Sequence, residues 1–259
     1  MKTGDPATLP PLTRRLLGWE IVVVFAVSLG ASALFAVINL IGSLTAPKAL
    51  RQQQALLVGS LAPGRPLLDL TLQLASILTT LAPVALVFYL LAREGNGPAA
   101  LGIDTTRPAS DALRGTVLAA LIGGSGLALY LAAFHLGISL NVVPENLPGV
   151  WWRIPVLVLD AAQNGILEEI LVLGYLLRRL DQLGWMPGKA IALAAVLRGS
   201  YHLYQGFGGF IGNAILGVIF GVLYRRWGRV MPMIIAHTLI DTGAFVGYAV
   251  LHGHVSWLP

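Results

Sequence analysis

The chain has 259 residues, of which 56% are hydrophobic and only 11% charged, against about 25% charged in soluble domains, so an ordinary water-soluble fold is excluded. The formal charge of +5 does not mark a nucleic-acid binder, because the Lys and Arg residues punctuate apolar runs instead of forming a basic stripe. Cysteine is absent, which excludes disulfides, thiolate metal sites and a cysteine nucleophile.

A membrane span needs about 20 mostly apolar residues. A polar N-terminal segment, expected to be mobile, runs to about Leu12. The first apolar run, near residues 19–45, exceeds the roughly 7–15 residues of a secretory signal core and reads as a permanent span. Further runs lie near 67–92, 113–137, 150–178, 188–204, 208–224 and 230–251. The fifth and sixth of these seven are short, as for tilted or partly re-entrant segments. Breakers separate them: Pro63-Gly64, Gly95 to Pro98, Pro144 to Pro148, Pro187-Gly188 and Gly228. The linker 46–66 is expected outside the membrane, with a short helix around Leu50 to Val58. No internal repeat is visible. The expected fold is all-α, a polytopic transmembrane bundle of about seven helices (six to eight). It divides into an N-terminal part, 1–149, and a C-terminal bundle, 150–251.

Charge gives the orientation. With a cytoplasmic N-terminus and alternating spans, the outer segments hold only Lys48, Arg51, Arg65 and Arg153, and Arg198 lies within a span. Every other Lys and Arg falls inside, as the positive-inside rule expects. All six tryptophans, Trp19, Trp151, Trp152, Trp185, Trp227 and Trp257, stand at or near run ends, where an aromatic belt belongs. Arg153, Arg178 and Arg179 read as interfacial anchors, and Glu20 and Asp69 sit near run ends, within reach of water. The Arg-rich, Ala/Leu/Gly-rich composition fits a bacterial cytoplasmic membrane.

Charges inside a span cost roughly 2.5–3.5 kcal/mol each on insertion scales, and the C-terminal half carries several. In the fourth run Asp160, Asn164 and Glu168 recur at i, i+4, i+8 and share a helix face, with Tyr175 continuing it and Glu169 one residue round. The fifth run places Arg198, His202 and Gln205 on one face, and the seventh places His237 and Asp241 at i, i+4. Helix rise puts Glu168, His202 and His237 roughly 10–20 Å from their run ends, at overlapping depths. Taken singly, Asp160, Asn164 or Gln205 reads as an interhelical hydrogen-bonding partner. Glu168, His202 and His237 together read as one buried functional site. The pairs Gly208/Gly212 and Gly217/Gly221 read as close helix contacts.

The stretches LEEILVLGYLLRR, RGSYHLYQGFGGF and HTLID resemble the three motifs of the CPBP family. That family comprises intramembrane CAAX proteases and bacteriocin-processing or immunity proteins. Its pattern is E-E-x-x-x-R, then F-x-x-x-H, then H-x-x-x-N or D, and the resemblance covers about residues 150–251. This sequence departs from it twice: Leu173 stands where the first motif has arginine, and Arg198 where the second has phenylalanine. These read as a linked swap in which Arg198 supplies the missing cation to the Glu168/Glu169 pair, since adjacent carboxylates in low dielectric need a cation or a shared proton.

The resemblance implies peptide hydrolysis inside the membrane without a cofactor. Glu168, helped by His202, would activate water, and His237 with Asp241 would face the tetrahedral intermediate. Glu169, Arg198, Asn164 and Tyr175 would support the site. A zinc ion held by Glu168, His202 and His237 is the competing chemistry, although no H-E-x-x-H helix is present. The expected partners are the lipid bilayer and a membrane-embedded or lipid-anchored peptide substrate, with no nucleic acid. Two other classes stay open: a proton-coupled transporter, since relays also use intramembrane Glu and His, and a catalytically silent immunity or scaffold protein. The sequence names neither a particular substrate nor an oligomeric state.

Overall fold

The computed structural model describes residues 11–255; Lys2, Trp257 and most of the predicted polar N-terminal segment lie outside them. The described chain is a helical bundle, and each of the seven apolar runs is helical. The first run is broken into α1 (Pro11–Ala26) and α2 (Leu29–Thr45), which meet at a bend of 54°. Two features make the bend. Ser28 Oγ donates to Val24 O at 2.6 Å, and a Cβ at Gly30 would lie 2.5 Å from Phe25 O, so only glycine lets the chain fold over this carbonyl. The second run is α3 (Pro66–Thr80) and α4 (Ala82–Arg93), parted at Leu81 just before Pro83, which cannot donate to the helix ladder. Then come α5 (Pro108–His135), α6 (Arg153–Glu168), a π-helical stretch (Glu169–Leu176), α7 (Leu177–Gln182), α8 (Pro187–Tyr201), α9 (Phe207–Trp227) and α10 (Met231–Leu251).

Four of these segments are long and apolar enough to cross a membrane: Pro66–Arg93, Pro108–His135, Phe207–Trp227 and Met231–Leu251, with the bent α1–α2 pair a fifth. The other two runs, α6 to α7 and α8, carry Glu168, Glu169 and Arg198 and contribute a large share of the buried core, with Ile170 to Leu177 and Ala190 and Ala194 all enclosed. Their charged side chains Glu168, Glu169 and Arg198 are enclosed, as ionisable intramembrane residues require, while Val158, Leu159, Leu193 and Val196 stay exposed on the outer faces.

The linker departs from the expected short helix. A single 3₁₀ turn (Leu50–Gln52) leads into strand β1 (Gln54–Val58), which pairs in parallel with β2 (Asn141–Glu145) in the register Gln54↔Asn141 to Val58↔Glu145. Leu56 to Val58 are apolar and β-branched at the end, and the partner strand satisfies backbone groups that an isolated short helix would leave to water. Beneath this ribbon Val58, Leu147, Trp152, Val156, Leu157 and Phe245 form a second core. Trp152 is therefore a core residue, 1% exposed, and no part of an aromatic belt, whereas Trp19 and Trp151 stay exposed.

Ion pairs tie one end of the bundle together. Arg229, just before α10, binds Asp111 in the first turn of α5 at 2.6 Å and Asp104 at 3.0 Å. Arg225 at the end of α9 pairs with Asp181 at 2.7 Å. Arg179 is fully enclosed and grips Glu20 of α1 at 2.8 Å and Glu94 after α4. Arg179 is therefore an enclosed interhelical ion-pair residue and not the interfacial anchor expected from its place in the sequence, whereas Glu20 keeps 24% of its side chain exposed and does reach water. Asp69 is likewise 1% exposed, accepting from Ser60 Oγ, Leu61 N–H and Gln73. Arg14 donates to Leu183 O at 2.9 Å, so α1 begins at the ion-paired end, while α2 leads to the β-ribbon at the opposite end. The bent pair thus crosses the bundle once. Among helices in an apolar surround, packing and interhelical bonds carry the stability. The contact of α8 with α9 shows this: a Cβ at Gly217 would lie 2.9 Å from Ala195 Cα, and one at Gly221 would lie 3.1 Å from Ile191.

Candidate active site

The two glutamates sit where α6 changes to π-helical winding, Glu168 closing the α-helix and Glu169 opening the wider coil. Such π insertions recur at functional sites because they re-aim side chains. Here both carboxylates reach one cation. Arg198 of α8 places Nη1 2.7 Å from Glu169 Oε1 and Nη2 3.3 Å from Glu168 Oε2, and the side chains of Arg198 and Glu169 are 0% exposed. Leu173, at the position of the motif arginine, is packed in the apolar core. The same change of winding removes Tyr175 from the site. Each π residue advances through a smaller angle than an α residue, so the i+7 relation to Glu168 fails. Tyr175 instead donates its hydroxyl to Glu20 at 3.0 Å and lies beside Arg179.

The histidines arrive from two other elements. α8 ends at Tyr201, so His202 lies beyond the helix, and Leu203–Gln205 is a 3₁₀ turn. The single face expected for Arg198, His202 and Gln205 is therefore not continuous. The turn is set by Gly206, whose φ is +96 and whose Cβ would lie 2.8 Å from Ile138 O. It is clamped from outside by the loop after α5: Leu140 N–H donates to Gln205 O at 3.0 Å and Phe207 N–H to Ile138 O at 2.9 Å. His202 Nε2 then stands 3.7 Å from Glu168 Oε1 and has no hydrogen-bond partner among the described residues. Gln205 Nε2 lies 3.3 Å from His202 Nδ1. An amide N–H there donates to Nδ1 and leaves the ring hydrogen on Nε2, aimed at Glu168.

On α10, His237 is buried and bracketed by carboxylates, with Nδ1 2.8 Å from Glu169 Oε1 and Nε2 3.4 Å from Asp241 Oδ2. Asn164 donates to the same Asp241 oxygen at 3.3 Å and accepts from Gln163 at 3.1 Å. The structure thus gathers Glu168, Glu169, Arg198, His202, His237, Asp241 and Asn164 from α6, the π stretch, α8 and α10. It also adds a residue the sequence analysis overlooked. Tyr201 is buried and donates its hydroxyl to Glu168 Oε2 at 2.8 Å. Its only sequence signal was adjacency to His202, because a tyrosine in an apolar run passes for ordinary core.

Glu168, Tyr201, His202, His237, Asp241, Asn164 and Asp160 line one cavity of about 1020 Å³, walled by α5, α6, α9 and α10. A second cavity of about 910 Å³ lies against α2 and the α3–α4 junction and shares Leu29, Ser32, Leu167, Tyr201 and Tyr204 with the first. Space therefore adjoins the Glu168–Tyr201 wall on two sides.

The carboxylate and imidazole atoms of Glu168, Glu169 and His237 all lie within 4.8 Å of one another, a spacing that could hold a metal ion. Glu169 stands in this set where the sequence had put His202. The Arg198 guanidinium reaches into it, 3.2 Å from His237 Nδ1, and a fixed cation there opposes a divalent ion.

Residues 150–243 match the Rce1-like type II CAAX prenyl endopeptidase family. No curated protein and no solved structure matches the chain. The Rce1-like region runs from the start of α6 into α10 and takes in every residue gathered at the site, including Arg198 and Tyr201. The match supports a membrane endopeptidase in general terms, and together with the apolar helices it supports a multi-pass membrane protein.

Proposed function

We propose that this protein is an intramembrane endopeptidase in which water held between Glu168 and His202 attacks the peptide carbonyl. The observation that carries this reading is the geometry around Glu168. Oε2 is taken by Tyr201 and Arg198, at 2.8 and 3.3 Å. Oε1 has no hydrogen-bond partner among the described residues and faces the enclosed, unpartnered His202 Nε2 across 3.7 Å; a water admitted there as the ring moves aside would accept from Nε2–H and donate to Oε1. Glu168 then takes the water proton as the oxygen adds to the carbonyl carbon, and gives that proton to the amine nitrogen as the C–N bond breaks. His237, with Nδ1 beside Glu169 and Nε2 towards Asp241, lines the cavity where the developing oxyanion would form. Asp241 orients His237 and is itself fixed by Asn164. The two cavities meeting at Tyr201 leave room for chain on both sides of the cleaved bond, as an endopeptidase needs. The position of Arg198 favours water activated by glutamate over a zinc centre. The substrate is a membrane-embedded or lipid-anchored peptide.

The test is cleavage of a membrane-peptide library by purified protein in nanodiscs, comparing the wild type with Glu168→Ala and His202→Ala, each with and without chelator. The expected result is cleavage by the wild type, loss of about 10²-fold or more in each variant, and no effect of chelator. Inhibition by chelator with recovery on adding zinc would instead establish a metalloenzyme.

A further inference from the structure

The large cavity is electrically one-sided. Among the described residues its wall carries three carboxylates, Asp160, Glu168 and Asp241, and no Lys or Arg. Two of the three are matched, Glu168 by Arg198 and Tyr201, Asp241 by His237 and Asn164. Asp160 is half-buried on the same wall and has no hydrogen-bond or ion-pair partner among the described residues. A carboxylate within a span costs several kcal/mol unless something compensates it. No described side chain supplies that partner, and the cavity is the space through which one from outside can reach it.

We propose that Asp160 is a specificity-determining residue that binds a Lys or Arg side chain of the peptide substrate. This rests on the endopeptidase reading only for the place of the cleaved bond. Asp160 precedes Glu168 by two helical turns, roughly 12 Å along α6. An extended peptide covers that distance in about three or four residues. The favoured substrate therefore has a basic residue three or four positions from the cleaved bond. A basic side chain suits this cavity for a second reason: its long apolar stem lies along the apolar wall formed by Ile240 and Ala244 while its charged head meets Asp160.

The experiment uses the full chain in nanodiscs and a matched set of membrane peptides carrying Lys, Gln or Glu at each position within five residues of the cleaved bond. Cleavage is measured with the wild type, Asp160→Asn and Asp160→Lys. Equilibrium binding of the same labelled peptides is measured with Glu168→Gln, alone and combined with each Asp160 variant. Binding of the Gln peptide reports that each variant is folded. The expected result is a Lys-over-Gln preference of about tenfold or more at the third or fourth position, lost in Asp160→Asn and turned into a preference for Glu in Asp160→Lys. Equal binding of Lys and Gln peptides, or a Lys preference that survives in Asp160→Asn, overturns the assignment. A Lys preference in binding without cleavage by any form supports Asp160 as the recognition group and counts against the endopeptidase reading instead.

Discussion

Arg198 is the residue on which the site's charge balance turns. Its guanidinium serves Glu169 at 2.7 Å and Glu168 at 3.3 Å, with no exposed side-chain surface. Removing one member of such a buried pair strands the other and costs about 3–5 kcal/mol. Arg198→Leu is therefore expected to lower the thermal midpoint of the purified protein sharply and to reduce its accumulation in membranes. An unchanged melting curve would show that Glu169 is neutralised some other way. Tyr201 acts on a smaller scale. Its hydroxyl bonds one oxygen of Glu168, and a hydrogen bond to a charged group is worth about 1.5–3 kcal/mol. Tyr201→Phe keeps the ring's packing and should lower kcat about 10- to 100-fold with KM little changed. A rise in KM at constant kcat would make Tyr201 a substrate contact instead.

At the scale of elements, two irregularities place the chemistry. The π winding that begins at Glu169 turns both glutamates towards Arg198, and the break after Tyr201 sends His202 back towards Glu168. The second depends on Gly206, whose φ of +96 and ψ of −175 lie in a region essentially confined to glycine and cost a residue with a Cβ about 1–3 kcal/mol, before the clash with the Ile138 carbonyl is counted. Gly206→Ala should lower kcat by more than its loss of thermal stability accounts for, because the turn it distorts carries His202 and Gln205. Equal falls in activity and folded fraction, measured on the same preparation, would reduce Gly206 to a structural role.

For the whole molecule, the ion-paired end and the β-ribbon end lie on opposite sides of the bundle, joined by a bent α1–α2 pair that crosses once. The positive-inside rule, applied to the Lys and Arg residues at the ion-paired end, predicts a cytoplasmic location for that side. Since the natural chain has no cysteine, single cysteines report topology without background. Lys48→Cys, exposed near the ribbon, should react with an impermeant maleimide in intact cells. Ala99→Cys, exposed after α4, should react only once the membrane is opened. The reverse labelling would invert the orientation, and labelling of both would mean that the Pro66–Arg93 segment between them does not cross.

The apolar runs, their helical character and the residues Glu168, Glu169, Arg198, His202, His237 and Asp241 were legible in the sequence, because burying charge in lipid is costly enough to leave a conspicuous trace in composition. The pairing of Arg198 with the glutamates was legible too, since two adjacent carboxylates demand a cation and only one lay within the spans. What the tertiary structure alone decided was direction. Periodicity assumes regular α winding, so it could not foresee that a π stretch would turn Tyr175 to Glu20, or that α8 would stop one residue short of His202. The ribbon of β1 and β2 and the burial of Arg179 likewise depend on partners from distant parts of the chain. Asp160 shows the same division: its charge is plain in the sequence, but its lack of a partner is a property only the assembled cavity reveals.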